Sequence, residues 1–126
     1  MLNAAVVGMG VGYKHAEAYS KHPKTKFSGF FDFKDLRNIS FAKDVKIYKS
    51  FNEIIEDESI DIISVASYDN FHANQIIMGI ESGKHIMSEK PLCLNDHELK
   101  KIYKTLSENP EIKISANHVL RANSKF

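Results

Sequence analysis

Short apolar runs alternate with longer segments of helical periodicity along the chain. The short runs have the length expected of buried strands. In the longer segments, apolar residues recur at three- and four-residue spacing, which is typical of amphipathic helices. The pattern predicts strands over residues 4–7, 27–31, 45–48, 60–66, 85–87 and 112–116, although Gly29 weakens the second of them. It predicts helices over residues 13–22, 35–43, 50–57, 70–82 and 95–109.

Capping residues mark several of these helix boundaries. Ser50 precedes Glu53 by three residues and Asn95 precedes Glu98 by three, as in a capping box. Gly83 and the Asn109-Pro110 pair provide stops. The apolar stripes that should face the core are Phe71, Ile76, Ile77 and Ile80 on one helix, and Leu99, Ile102, Tyr103 and Leu106 on the last.

The alternation of strand and helix predicts an α/β fold with a parallel sheet, right-handed crossovers and helices on both faces. Six strands match the 3-2-1-4-5-6 order of a doubly wound, Rossmann-type sheet better than the five-stranded flavodoxin-like order. We expect one domain over residues 1–118. Residues 119–126 would then begin a crossover to a second domain.

Composition excludes some classes of function. The 126 residues carry 17 Lys and Arg against 16 Asp and Glu, a net charge of +1, which argues against binding to nucleic acid or to an anionic membrane. The single cysteine, Cys93, lies between two leucines and is predicted to pack. No apolar run approaches the ~20 residues that span a bilayer. The first residues lack the features of a secretory signal, so we expect a cytoplasmic protein.

A glycine-rich turn directly follows the first predicted strand, where Gly8, Met9, Gly10, Val11 and Gly12 lead into a helix. Gly8 permits a tight turn, and Gly10 lets the backbone approach a diphosphate. The free N–H groups and the dipole at the start of the helix favour phosphate oxygens. The spacing is GxGxG and not GxGxxG, which predicts a turn one residue tighter. We predict that these five residues bind the diphosphate of a dinucleotide.

Asp32 directly follows the second predicted strand, and Phe33 comes next. A carboxylate at this place accepts hydrogen bonds from the ribose hydroxyls of the adenosine and repels a 2′-phosphate, so NAD is the predicted cofactor. Lys34 and Arg37 lie near enough to offset a phosphate's charge, which leaves NADP open. The alternative is that Asp32 only begins a turn. Phe33 is included in the predicted cofactor site.

Further candidates follow the later strands. Ligands of such sheets bind outside the carboxyl ends of the strands. The residues at these ends are therefore expected at the cofactor crevice: Ala66, Ser67, Tyr68 and His72 after the fourth strand, Glu89 and Lys90 after the fifth, and Asn117 after the sixth.

The segments GMGVGYKH, SYDNFH, GKHIMSEKPLC and ANHVLR, together with Asp32, resemble the amino-terminal half of the Gfo/Idh/MocA family of oxidoreductases, which includes glucose–fructose oxidoreductase and inositol dehydrogenase. The resemblance implies an NAD(P)-binding domain. It also implies that Lys90 is catalytic and reaches toward the nicotinamide and the substrate. An ammonium group there would polarise a reacting hydroxyl and assist proton movement. Glu89, which could orient Lys90, and Asn117 would contact the cofactor.

The resemblance further implies that a second domain, absent from these residues, selects the substrate, carries an acid–base histidine and forms the homo-oligomer interface. The expected reaction is hydride transfer between the nicotinamide and a hydroxyl or keto carbon of a sugar, nucleotide sugar or cyclitol. The chain alone is expected to bind cofactor without turnover. The alternatives are a non-enzymatic NAD-sensing module and a domain that binds another nucleotide, such as S-adenosylmethionine.

The histidines leave two questions open. His15 either approaches the phosphates or is a half-buried helix residue, and His72 either contacts the cofactor or caps and packs its helix. The remaining histidines have no ligand-like spacing with one another or with Cys93, so no metal site is expected. They are His22, His85, His97 and His118.

Overall fold

The computed structural model describes residues 1–34 and 44–125, and in this part of the chain six strands form one parallel sheet. The strand order is β3-β2-β1-β4-β5-β6. The predicted α/β class and the 3-2-1-4-5-6 order are therefore confirmed. The helix predicted over residues 35–43 lies outside the described residues. The strands are β1 (Leu2–Val7), β2 (Thr25–Phe31), β3 (Lys46–Ile47), β4 (Ile62–Val65), β5 (His85–Glu89) and β6 (Ile114–Asn117).

Four α-helices connect these strands in the described part: α1 (Gly12–Lys21), α2 (Phe51–Glu56), α3 (His72–Glu81) and α4 (Asp96–Glu108). Both predicted N-caps are confirmed, because Ser50 Oγ accepts from Glu53 N at 3.2 Å and Asn95 Oδ1 accepts from Glu98 N at 2.9 Å. The two glutamates reach back one residue further than in a standard capping box. They accept from Lys49 N and Leu94 N, each at 2.8 Å.

All six strands differ from their predicted bounds at one end or at both, and three of these differences have a visible cause. β4 begins at Ile62, not at residue 60, because the Ile60 carbonyl is directed to the buried Lys84, whose Nζ donates to it at 2.9 Å. β5 continues to Glu89, which pairs with Asn117 at the end of β6. These two residues therefore lie within the sheet at its carboxyl edge. A turn in which Ile112 N donates to Asn109 O at 3.1 Å delays the start of β6.

Gly29 lies inside β2 and leaves room for Tyr48. A Cβ at this position would lie 2.5 Å from Tyr48 Cε2 and 2.6 Å from the Lys46 carbonyl oxygen. The register against β1 shifts at the same place, since Ala4 faces Phe27 but Ala5 faces Gly29. The glycine that weakens the strand prediction thus marks a β-bulge and a close aromatic contact.

The core occupies both faces of the sheet, as the alternation along β1 requires. Ala5 and Val7 join a large cluster with α2, α3 and α4, whereas Val6 joins a smaller cluster with α1. Cys93 packs, partly buried, against the larger cluster. Ile76 and Ile80 of the predicted stripe are fully buried, and each contributes ~1.5–3 kcal/mol of burial free energy.

Two residues of the predicted stripes lie elsewhere. Phe71 is in a 3-10 turn (Asp69–Phe71) that precedes α3, and Tyr103 on α4 is 69% exposed. A residue placed on the apolar side by periodicity alone is not always covered, because coverage depends on what packs against that part of the helix. Within the described residues, no helix combines the length and the apolar character that a membrane crossing requires.

Candidate functional site

The turn between β1 and α1 requires glycine at its first position. Gly8 has a φ of +85°, which residues with a side chain rarely adopt. A Cβ there would also overlap the Ala66 carbonyl and lie 2.7 Å from Ser67 N. Gly8 N donates to Phe31 O at 2.8 Å. This residue therefore holds the carboxyl ends of β1, β2 and β4 close together.

The other two glycines of the turn have different surroundings. A Cβ on Gly10 would meet no atom within 4 Å, so its missing side chain leaves open space above the turn. A Cβ on Gly12 would lie 2.6 Å from Val6 Cγ1, so Gly12 lets α1 pack closely on the sheet. In the described part of the chain no side chain caps the start of α1. Tyr13 N and Lys14 N donate to the carbonyl oxygens of Gly10 and Val11, at 3.4 and 3.0 Å, so an anion at this turn would meet the N–H groups just before Tyr13 and the positive end of the helix dipole.

Asp32 is connected to this turn through its carboxylate. Its Oδ2 accepts from Met9 N at 2.6 Å, and its Oδ1 accepts from Lys34 N at 2.8 Å. An ionised carboxylate has about four lone-pair sites, so two remain available to hydroxyl donors. The side chain supports the glycine-rich turn and can accept further hydrogen bonds.

Aromatic side chains lie around the exposed end of β2. Phe33, 59% exposed, lies 5.2 Å from Phe71 and 5.2 Å from Phe31, measured between ring centroids. Tyr68 is 63% exposed. Exposed aromatic faces beside a cleft are suited to stacking against a planar heterocycle.

These elements border a cavity of about 450 Å³ at the carboxyl edge of the sheet, within the ~300–1,000 Å³ usual for small-molecule sites. Nine of the residues predicted for the cofactor site line it: Gly8, Met9, Gly10, Val11, Asp32, Phe33, Ala66, Ser67 and Tyr68. Sequence reasoning omitted four other lining residues from the site: Val7, Phe31, Lys34 and Asp69. Val7 and Phe31 end β1 and β2, so following every strand to its last residue would have found them.

His72 lies away from the cavity wall and links two loops. It is 1% exposed, with Nδ1 at 2.6 Å from Pro91 O and Nε2 at 2.8 Å from Ser67 O. Both partners are carbonyl oxygens that only accept, so the ring makes both hydrogen bonds together only when both nitrogens carry a proton. Of the two readings of this residue, the structure favours packing. Ser67 Oγ in turn donates to Gln75 Oε1 at 2.5 Å.

Glu89 and Asn117 meet at the ends of β5 and β6, also outside the cavity wall. Asn117 Nδ2 donates to Glu89 Oε1 at 2.7 Å, and His15 Nε2 lies 2.8 Å from the same oxygen. Burial raises the pKa of Glu89, but the hydrogen bonds from Asn117, His15 and the Lys90 backbone N–H, with the electrostatic attraction of His15, together outweigh it, and the net pKa is lower than usual. Glu89 is therefore an anion at neutral pH.

Lys90 is exposed beside this pair, and no ion pair joins it to Glu89 within the described residues. The orienting contact predicted between these two neighbours is thus absent. The role of His15, left open by the sequence, is to contact Glu89 from α1. No spacing rule relates the two residues, which are 74 positions apart.

The family model for the NAD-binding Rossmann fold of an oxidoreductase family matches residues 2–118. This chain belongs to the Gfo/Idh/MocA oxidoreductase family. The resemblance noted from the sequence motifs is thereby confirmed, and the domain is an NAD-binding domain of this family.

The relatives of this chain include sugar and cyclitol dehydrogenases. The chain is 33% identical to myo-inositol 2-dehydrogenase of Thermotoga maritima over 98 residues, covering 75% of this chain and 29% of the relative. It is 30% identical to D-xylose 1-dehydrogenase (NADP(+)) of Hypocrea jecorina over 70 residues, covering 56% of this chain and 18% of that relative.

A solved structure of scyllo-inositol dehydrogenase from Lactobacillus casei, with bound NAD(H) and scyllo-inositol, superposes with a TM-score of 0.82. The identity is 20%, and the match covers 98% of this chain and 38% of that one. At this identity the similarity concerns the fold. The chain spans about a third of the length of the relatives it matches.

Proposed function

We propose that this chain is the cofactor-binding part of an NAD-dependent oxidoreductase acting on a hydroxyl or keto carbon of a sugar, nucleotide sugar or cyclitol. The observation that carries the proposal is the cavity where the glycine-rich turn, the uncapped start of α1 and Asp32 converge. Membership of the family and the dehydrogenases among the relatives support the reaction class and the class of substrate.

The residues present fit a dinucleotide. The open space above Gly10 admits a diphosphate to the N–H groups at the start of α1, where the helix dipole favours negative charge. The two lone-pair sites that Asp32 retains would accept from the vicinal hydroxyls of the adenosine ribose, and Phe33 would lie against the adenine. The nicotinamide, when bound, supplies the site that gives or takes hydride.

Lys90 is proposed as the catalytic residue of the longer protein. Lys90 is exposed and directly follows Glu89, the last residue of β5, at the carboxyl edge of the sheet. From there it can donate a hydrogen bond to a reacting oxygen and stabilise negative charge that develops on it. We further propose that the substrate pocket lies outside these 126 residues, so the chain alone binds cofactor without turnover. A cytoplasmic location and a homo-oligomeric assembly stay predictions.

NAD is the proposed cofactor because the Asp32 carboxylate would repel a 2′-phosphate. Lys34 lines the cavity and could offset part of that repulsion, whereas Arg37 lies outside the described residues. Titration of the chain with NADH and with NADPH, followed by nicotinamide fluorescence, tests this. We expect NADH to bind more tightly. Absence of binding by either dinucleotide would refute the proposed cofactor role.

Asp32→Ala is expected to weaken NADH binding and to reduce the preference over NADPH. Asp61→Ala is a matched control, because Asp61 Oδ2 also accepts from a backbone N–H, that of Asn3 at 2.8 Å, but at the opposite edge of the sheet. Its effect on NADH affinity should be small. An unchanged preference in Asp32→Ala would show that the carboxylate does not contact the ribose.

Lys90→Met is tested in the longer enzyme, with Lys100→Met on the exposed side of α4 as the control. We expect kcat to fall by ~10²–10⁴, the usual contribution of one positioned acid or base, while the cofactor Kd changes little. A variant that retains full kcat would remove Lys90 from the catalytic role. If the protein binds NADH but shows no dehydrogenase activity on any polyol, the NAD-sensing alternative is favoured.

A further inference from the structure

A chain of hydrogen bonds connects α1 to the carboxyl ends of β4 and β5. Tyr19 Oη lies 2.7 Å from Ser64 Oγ, and Ser64 Oγ lies 3.0 Å from His15 Nδ1. His15 Nε2 lies 2.8 Å from Glu89 Oε1. Ser64 is fully buried and His15 is 8% exposed. Three elements of the fold, α1, β4 and β5, are therefore joined by polar contacts beneath the site.

The direction of each hydrogen bond follows from Glu89. Its carboxylate is ionised, because the pKa is lowered, so it only accepts and His15 Nε2 must donate to it. In the neutral imidazole, Nδ1 then accepts from the Ser64 hydroxyl, and Ser64 Oγ accepts from Tyr19. Every member has a partner in this arrangement, which fixes one tautomer and one orientation of the ring.

The two donors on Glu89 occupy the same oxygen. His15 Nε2 and Asn117 Nδ2 both contact Oε1, and within the described residues no side chain donates to Oε2. The buried side-chain polar atoms of this part of the chain all have partners, so Oε2 retains some accessible surface, although the Glu89 side chain is only 13% exposed. The two side chains thus hold the carboxylate by one oxygen, and the Lys90 backbone N–H is the other group that faces it.

We propose that His15 is a positioning residue, which holds the Glu89 carboxylate beside Lys90 so that Oε2 accepts from a hydroxyl of the nicotinamide ribose or of the substrate. This inference rests on the proposed function of the domain. It also links the two halves of the site physically. His15 lies one turn into α1, the helix that begins at the glycine-rich turn, so one helix contacts both the proposed diphosphate site and Glu89.

The test compares three variants of the 126-residue chain. His15→Phe removes both ring nitrogens, His15→Gln keeps one N–H within reach of Glu89, and His97→Phe changes an exposed histidine on α4 as the control. Two quantities are measured: the pKa of Glu89, from the carbon-13 shift of its carboxyl group during a pH titration, and the NADH dissociation constant. The groups that face this carboxylate are His15, Asn117 and the backbone N–H of Lys90.

We expect His15→Phe to raise the pKa of Glu89 and to weaken NADH binding about tenfold, since loss of one hydrogen bond to a charged group has an effect of this order. His15→Gln should restore most of both quantities, and His97→Phe should change neither. A purely structural role for His15 would lower stability and leave the NADH dissociation constant of the folded variant unchanged. A wild-type NADH dissociation constant, or a wild-type Glu89 pKa, in His15→Phe would overturn the proposal.

One measurement needs no variant and decides the case if His15→Phe does not fold. Nitrogen-15 NMR of the wild-type imidazole should show the proton of neutral His15 on Nε2, and a proton on Nδ1 would overturn the proposal. Failure of the proposed function is distinguished from this outcome, because it appears as absent NADH binding by the wild type. The tautomer and the Glu89 titration are then still read in the free chain and decide whether His15 holds Glu89.

Discussion

Alanine at Gly8 is expected to destabilise the domain more than alanine at any other glycine of the turn. Two separate costs act at this position. The positive φ of +85° disfavours any residue with a Cβ, and the new Cβ overlaps the backbone of Ala66 and Ser67. Both contacts are backbone atoms of the β4 end, so relief requires movement of the loop and not of a flexible side chain.

Comparison with Gly83 separates the two contributions to the stability loss of Gly8→Ala, which are backbone strain and steric overlap. Gly83 also has a positive φ, +77°, but a Cβ there meets nothing within 4 Å. Gly83→Ala therefore reports backbone strain alone, ~1–2 kcal/mol. Overpacking adds ~1–3 kcal/mol, so we expect Gly8→Ala to lower the free energy of unfolding by ~2–5 kcal/mol. That is a large share of the ~5–15 kcal/mol typical of a domain.

Gly10→Ala separates folding from binding. A Cβ at Gly10 has open space and no positive φ, so stability should stay unchanged or rise by ~0.4–1 kcal/mol through the unfolded state. NADH binding should nevertheless fall, because the methyl group occupies the approach of the diphosphate. In contrast to Gly10→Ala, the variants Gly8→Ala and Gly83→Ala should both lower the free energy of unfolding.

Urea unfolding followed by far-UV circular dichroism measures the three free energies, and NADH titration measures binding. If Gly8→Ala lowers the free energy of unfolding no more than Gly83→Ala does, the overlap with the end of β4 is absent in solution. If Gly10→Ala binds NADH as tightly as the wild type, the diphosphate does not approach Gly10.

Three further outcomes concern stability. His72→Ala should cost ~1–3 kcal/mol in urea unfolding, because it leaves at least one of the two loop carbonyl oxygens without its donor. The exposed His97→Ala should change the free energy of unfolding by less than ~0.5 kcal/mol. Equal effects would mean that the links between the loops are not formed. The pKa of Asp57 is lowered from 3.8 to about 2, mainly because Ser59 donates a hydrogen bond to its carboxylate. The contribution of this carboxylate to stability is complete above pH 3.8 and is lost as the pH falls through about 2. The wild type should therefore lose stability in this window faster than Asp57→Asn, and parallel pH curves would contradict this. Ile80→Ala should cost ~2–5 kcal/mol by calorimetry or urea unfolding, and Tyr103→Ala, 69% exposed, under ~0.5 kcal/mol; a similar loss in both would place Tyr103 in an interface.

The features that could be predicted from the sequence depend on residues that are close together in the chain. The alternation of apolar runs and amphipathic segments was enough to predict the sheet and its strand order, because burial on both faces and right-handed crossovers leave few other topologies. The glycine-rich turn and Asp32 were predicted for one site, and all of these residues except Gly12, which packs on Val6, line one cavity. Their meaning depends on a strand, a turn and a helix that are adjacent in the chain.

The remaining parts of the site depended on long-range geometry. Ile60 leaves β4 because Lys84, 24 positions away, takes its carbonyl, and β5 extends to Glu89 because Asn117 pairs with it. The predicted partner of Glu89 was the side chain of its neighbour Lys90, but the side chains that contact Glu89 are those of His15 and Asn117. Successive residues of a strand point to opposite faces, so neighbours in the chain are poor candidates for contact.

The sequence by itself thus determined the class of fold and the order of the strands, and it predicted the turn and the carboxylate at the proposed dinucleotide site, since each follows from periodicity or from adjacent residues. Only the tertiary structure decided which side chains meet at the carboxyl edge: His72 with the loop carbonyls, and His15 with Ser64 and Glu89. The physical reason is that such contacts depend on the register of paired strands and on how closely α1 packs on them. Both are properties of the assembled sheet.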